Sequence, residues 1–284
     1  MLGAKLLQEE DDGLEMRESG PWVCDKYYYL IRYIDIFETS MRGKWENRAY
    51  IDLFSGPGKC IEKSTQSIHF GSPLLALTTR YPFSEYYFVD KSKFNIDSLM
   101  KRCNSFNNKV RISSYIGDSN KLVDEIISQI DFAKSINLSF LDPEGLDLHW
   151  ETVVKLSSVT RMDLIIFYPQ MGLTRQMPNE VQNDSNTNID KFFGSRKWRE
   201  IYTAFNIREE LYLHRKLLDL YKNNLQRLGY QDTKSDEEVG IEPLMVNTRE
   251  APLYRLIFAS KSQLGHEFWK KITKKNHRGQ RRLF

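Results

Sequence analysis

A chain of 284 residues with 40% apolar content can bury a sizeable core, as one large α/β domain or one domain carrying an insertion. Three cysteines, Cys24, Cys60 and Cys103, stand far apart with no CxxC and no Cys/His clustering, which argues against a disulfide framework and a structural zinc site and fits a reducing, cytoplasmic setting. The net charge of +3 is unevenly spread, with six acids against two bases in the first 20 residues and eight Lys or Arg against Glu267 alone from 261 to 284.

The opening stretch MLGAKLLQEEDDGLEM has no apolar leader run, and no segment approaches 18 uninterrupted apolar residues, so neither secretion nor membrane spanning is expected. Residues 1–44 read as an acidic segment and an entry helix, DKYYYLIRYIDIFETSM, which spaces Tyr28, Ile31, Ile34 and Phe37 at helical intervals. Short β-branched and aromatic runs then alternate with helical patterns: AYIDLFS, EYYFVD, VRISSYIGD, INLSFLD and MDLIIFYP. That alternation predicts a Rossmann-like α/β fold with a mostly parallel sheet. A polar stretch and two amphipathic helical patterns follow, and 171–235 reads as a helical insertion over the crevice. PLMVNT and PLYRLIFASKS lie too close together for a parallel crossover, so the sheet is expected to end in an antiparallel hairpin. The core thus comprises 45–170 and 236–265, and 266–284 forms a basic tail that reads either as a phosphate contact or as a solvated last helix.

Ligands of open α/β sheets bind beyond the carboxyl ends of the strands, which here carry Asp52, Asp90, Asp118, Asp142 and Tyr168 with Pro169. The loop YIDLFSGPGKC opens that edge. A dinucleotide fingerprint fails because Ile61 stands where the third glycine belongs, and Gly58-Lys59 is followed by Cys60 rather than the Ser or Thr of a phosphate-binding loop. What remains is an acid before Gly56 and Gly58, whose backbone permits close approach of a ligand or simply makes a tight turn. S-adenosylmethionine suits the first reading: Asp52 can hold its ammonium directly or through water, Asp90 its ribose diol, and Asp118 its adenine amine. Phe54, Lys91 and Ser119 flank these positions and complete the expected cofactor set, with Asp142 at its inner end. Asp118 is equally a helix N-cap before SNKLVDEII.

This order of motifs resembles the class I S-adenosylmethionine-dependent methyltransferases over roughly residues 45–170 and 240–265. DLFSGPGKC, FVD, LDPEGLDLHW, FYPQMGLTRQ and PLYRLIFASKSQLGHEFWKKI together look like the three-Cys-motif partner (TcmP) family across nearly the whole chain. The resemblance implies a seven-stranded class I methyltransferase fold and a companion protein bearing the cysteine motif.

The candidate acceptor pocket is Asp142, Pro143 and Glu144, with Tyr168 and Pro169 on the opposite wall and Arg175 placed for a substrate phosphate or carboxylate. The DPEG segment shares its Asp-Pro with the [DNS]PP[YF] of amino-methylating enzymes but has Glu144 and Gly145 where the second proline and aromatic belong, and no Pro-Cys offers a cytosine nucleophile. Asp142 or Glu144 is the candidate proton acceptor or orienting group, and a turn around Pro143 is the alternative. Lys26 is placed to reach the cofactor carboxylate. His149 and His214 read as surface or capping residues, and no metal is expected. The acceptor is expected in nucleic acid, on the basic tail, the aromatic content of 13% and the segment GSRKWRE. A non-catalytic module that docks the partner and a nicotinamide oxidoreductase are the rival readings.

Overall fold

The computed structural model describes residues 8–106, 110–205, 210–231 and 242–276. In chain order the first elements are β1 (Gln8–Glu9), β2 (Arg17–Ser19), α1 (Val23–Met41), β3 (Asn47–Asp52), β4 (Lys59–Glu62), β5 (Ile68–Phe70) and α2 (Ser72–Leu77). Then come β6 (Glu85–Asp90), α3 (Lys93–Cys103), β7 (Arg111–Ile116), α4 (Ser119–Ser128), β8 (Ser135–Leu141), α5 (Trp150–Ser158) and β9 (Met162–Tyr168). The chain continues through α6 (Gln170–Glu180), α7 (Asn188–Phe193), α8 (Lys197–Thr203), α9 (Glu210–Arg227), β10 (Leu244–Val246), β11 (Pro252–Ala259) and α10 (Gln263–Thr273).

Seven strands form the main sheet in the order β10-β11-β9-β8-β3-β6-β7. β3 pairs in parallel with β6 and β8, β8 with β9, and β6 with β7. β11 runs antiparallel to both β9 and β10, which is the expected terminal hairpin. The fold is therefore Rossmann-like α/β, of the class I methyltransferase type.

Both faces of the sheet are covered, as a parallel sheet requires. The pleat of β3 sends Ala49 and Ile51 into the layer formed with α4, α5, α7 and α9, and Tyr50 into the layer under α1, α2 and α10. On the second side Tyr33 of α1 lies 4.7 Å from Phe258 of β11 and 5.9 Å from Trp269 of α10 between ring centroids, so aromatic packing fixes α1 against β11 and α10. Of the described part of the stretch expected as an insertion, α6 lines the crevice at the carboxyl edge of the sheet. Phe192, Phe193, Trp198 and Tyr221, from α7, α8 and α9, are wholly buried in the first layer. That packing makes these helices part of the sheet's cover. Residues 232–241 and 277–284, parts of the expected insertion, core and basic tail, lie outside the described residues.

A second sheet, in the order β1-β5-β4-β2, was not foreseen. β4 begins one residue after Gly58, so the glycine loop leads into a hairpin before α2 rather than directly into a helix. The acidic N-terminal segment is strapped over this region. Arg102 of α3, only 5% exposed, donates to both Asp12 oxygens at 2.8 and 2.6 Å, to the Glu15 carbonyl at 2.7 Å and to the Pro57 carbonyl at 2.5 Å. A bidentate guanidinium that also satisfies two carbonyls is strongly specified geometry.

Candidate functional site

Two adjoining cavities open at the carboxyl edge of the parallel strands. The first, about 390 Å³, is lined by Leu53 and Phe54 after β3, Pro57, Asp90 with Lys91 and Ser92 after β6, Asn95, Ser119, Asp147, Glu144, and Met16 and Arg17 of the strap. The second, about 590 Å³, is bounded by Arg17, Trp22, Lys26 and Tyr27, by Cys60, by Asp142 to Gly145 after β8, and by Phe167, Pro169, Met171, Arg175 and Tyr254. Both volumes fall in the range of small-molecule sites. Arg17 and Glu144 line both cavities, and the Arg17 guanidinium meets the Glu144 carboxylate at 2.6 Å, so this ion pair is a shared wall.

Asp90 organises the first cavity. Its Oδ1 accepts from the Ser92 amide at 2.8 Å and the Asn95 side-chain amide at 3.0 Å, and its Oδ2 accepts from the Gly56 amide at 3.0 Å. Oδ1 is filled, whereas Oδ2 keeps a lone pair for one further donor. The glycine loop is thus held by the acid of the neighbouring strand. Ser119 also ties the loop, donating its hydroxyl to the Leu53 carbonyl.

Asp52 does not reach either cavity. It is fully buried, accepting from the Phe54 amide at 3.3 Å and the Tyr50 hydroxyl at 3.4 Å, and burial pushes its carboxyl up to about 7. Its role in this conformation is to shape the loop from behind, and direct contact with a ligand ammonium is corrected on that ground. Gly58 is likewise a packing glycine: its φ is +90°, and a Cβ there would lie 2.8 Å from Leu99 Cδ1 and 3.2 Å from Leu74 Cδ1. Gly56 has φ +61° and open space around it. Asp118 caps α4, its Oδ1 accepting from the Asn120 amide at 3.0 Å, and it lines neither cavity. The alternative reading of that residue as a cap holds.

In the second cavity Asp142 is buried and paired with Lys26 Nζ at 2.5 Å. Lys26, expected on a cofactor carboxylate, is instead the counter-ion of the candidate catalytic acid. Pro143, Glu144, Pro169 and Arg175 all line this space as expected. Tyr168 does not. The β9 pleat turns it into the opposite layer, wholly buried, with its ring 6.0 Å from Phe192 and 6.4 Å from Tyr221. Its neighbour Phe167 takes the wall position instead. Lys91 is exposed and pairs with Asp147 at 2.9 Å across the first cavity's rim.

Sequence reasoning missed Arg17, Asn95 and Asp147. Arg17 lay in a segment read by its net acidity, and only the pairing of β2 with β4 carries it to the site. Asn95 had a readable signal, since it follows Asp90 by one turn at the start of α3.

The strand order and terminal hairpin make this an α/β fold of the class I methyltransferase type, with its two cavities at the carboxyl edge of the sheet, the usual place for ligands in such folds. Among solved structures it is similar to Trm1 from Pyrococcus horikoshii in complex with S-adenosyl-L-methionine, at 11% identity and a TM-score of 0.46, over 93% of this chain and 62% of that one. It is also similar to PH1948 of the same organism, described as a proposed RNA methyltransferase, at 14% identity and a TM-score of 0.40 over 87% and 93% of the two chains. A proposed S-adenosyl-L-methionine-dependent methyltransferase of Methanococcus maripaludis matches at 14% identity and a TM-score of 0.33, over 84% and 90%. No protein-family model matches the chain, and the search of curated proteins gives no match. These likenesses concern the fold.

Proposed function

We propose that the protein is an S-adenosylmethionine-dependent methyltransferase acting on nucleic acid together with a three-Cys-motif partner protein. The observation that supports this most is the pair of adjoining cavities, one holding Asp90 and the other Asp142-Pro143-Glu144, divided only by Arg17 and Glu144. The residues present fit the cofactor. Asp90 Oδ2 keeps one acceptor position for a ribose hydroxyl, Leu53 and Phe54 give an apolar floor, and Asp147 adds a polar group at the rim.

When bound, the cofactor supplies a methyl carbon activated by its sulfonium, so the protein's task is mainly alignment and exclusion of water. Asp142, held by Lys26, is fixed in orientation to accept a hydrogen bond from an acceptor amine or hydroxyl. Glu144 is exposed at the boundary and is the group able to pass a proton to solvent once Arg17 moves. Arg175 provides a cationic edge for a phosphate-bearing acceptor. The partner protein rests on the sequence resemblance described above and on no contact in the structure.

A second reading, a non-catalytic module that docks the partner, has its own support. Asp142 and Glu144, which line the acceptor cavity, are both neutralised by bases of the N-terminal region, Asp142 by Lys26 and Glu144 by Arg17. Calorimetry and label transfer separate the readings. Asp90→Ala should weaken S-adenosylmethionine binding about tenfold or more, through loss of one charge-assisted hydrogen bond and of loop order, with the overall fold retained by circular dichroism. Unchanged affinity removes Asp90 from the site. Labelled cofactor incubated with separate DNA, RNA and protein pools, with and without the partner, should label nucleic acid; label on protein alone defeats the acceptor assignment, and no cofactor binding favours the docking module.

A further inference from the structure

Three side chains that neither cavity's chemistry uses meet beneath the N-terminal turn of α1. Cys24, Glu62 and His69 present their ligand atoms within 4.8 Å of one another. Cys24 comes from α1, Glu62 from the end of β4 and His69 from β5. The β4–β5 register places His69 directly opposite Cys60, and Glu62 lies two residues further along β4 on the same face. His69 is only 7% exposed, and neither of its ring nitrogens has a hydrogen-bond partner. Two orphaned polar atoms on one buried ring are costly, because each has lost water without replacement. Glu62 is also 7% exposed, its Oε1 accepting from Ser64 Oγ at 2.5 Å. The Cys24 thiol is free and half-buried.

We propose that Cys24, Glu62 and His69 bind one zinc ion, with the fourth coordination position left to water. A thiolate, an imidazole and a carboxylate are the donor types zinc takes in tetrahedral sites, whereas calcium and magnesium select oxygen ligands. Tetrahedral ligands at zinc distances stand roughly 3.3 to 3.8 Å apart, so the three groups need to close by only about 1 Å, within reach of side-chain rotation. Charge balances as well: the dication meets one thiolate and one carboxylate around a neutral imidazole. Binding replaces the thiol proton, so each ion taken up releases one proton to solvent. The ion would pin α1 to the β4–β5 hairpin. Lys26 and Tyr27, the next residues along α1 at the acceptor-side cavity, would be held with it.

The sequence expectation of no metal rested on spacing, and these ligands come from three separate elements. The test uses the full chain, stripped with a chelator and titrated with zinc against a chromophoric competitor. One equivalent should bind, with thermal stabilisation. Cobalt should give the thiolate charge-transfer absorption of a tetrahedral site. Cys24→Ser and His69→Gln should each weaken binding at least about tenfold and abolish the stabilisation, and Cys24→Ser should remove the charge-transfer band. Cys103→Ser, at the buried end of α3, should leave the zinc affinity and stoichiometry unchanged. If His69→Gln loses its circular dichroism, the isosteric Glu62→Gln takes its place. No zinc uptake by the folded wild-type chain, or uptake indifferent to these substitutions, overturns the proposal.

Discussion

At the scale of single residues, the two glycines of the first loop are there for different reasons. Gly58 sits at φ +90° with Leu99 and Leu74 pressed against it, so a methyl group brings both backbone strain and overpacking. Gly58→Ala should therefore cost about 2 to 4 kcal/mol. Gly56→Ala, at φ +61° in open space, should cost only about 1 to 2 kcal/mol. Denaturant titrations of the two variants check this, and equal losses would show that α2 and α3 yield to the added methyl. The sequence showed that the loop needs glycine, but whether a ligand or a neighbouring leucine imposes the need depends on α2 and α3 arriving from far along the chain. Asp90 stood out in the sequence as an acid at a strand end, and the structure gives it a local use, holding the Gly56 and Ser92 amides and the Asn95 side chain. Asp52, one strand over, has the same local signature and a different fate: it is wholly buried among the Tyr50 hydroxyl, the Phe54 amide and Ser72 at the start of α2.

At the scale of elements, the five parallel strands were legible from their apolar runs and terminal acids, and so was the antiparallel hairpin from its short connection. The small sheet was not. Its strands are two to four residues long and include QE, RES and KCIE, too short and too polar for any periodicity to register. The helices α8 and α9 were legible as helices, whereas α7 was not, because the helical pattern runs on from Phe192 through Gly194, whose φ of +68° ends α7; their burial against the sheet follows from a wide apolar face whose partner the pattern does not name. The strap formed by the N-terminal residues is held chiefly by Arg102. Arg102→Ala removes four hydrogen bonds and the main partner of Asp12, whose carboxyl the guanidinium holds well below the usual range. Because Asp12 is partly exposed, the loss should be about 1 to 3 kcal/mol rather than that of a fully buried pair. Limited proteolysis should then cut the segment before Val23 first, while the main sheet stays protected. Uniform digestion would mean the strap is integral to the fold.

For the whole molecule, buried carboxyls set the response to pH. Burial pushes Asp52 and Glu38 up to about 7 and Asp163 to about 6, each above its unfolded value near 4. An acid whose folded pKa is raised favours the folded state when protonated: that contribution is complete below about pH 4 and is lost as pH rises through 6 to 7. Asp12 and Asp190 are lowered, so their contribution is present above about pH 4 and lost below it. Stability should therefore peak in the mildly acidic range. The melting temperature at pH 5.5 should exceed that at pH 8, and Asp52→Asn should shrink the difference. A higher melting temperature at pH 8 would contradict the burial of these groups.

The Arg17–Glu144 contact, with one member of each charge facing both chambers, has a thermodynamic corollary. A guest in either chamber that recruits one of the two residues loosens the latch for the other chamber as well. The two occupancies then share a single unlatching cost, and linkage makes their mutual influence reciprocal: each guest should tighten the binding of the other by the same factor.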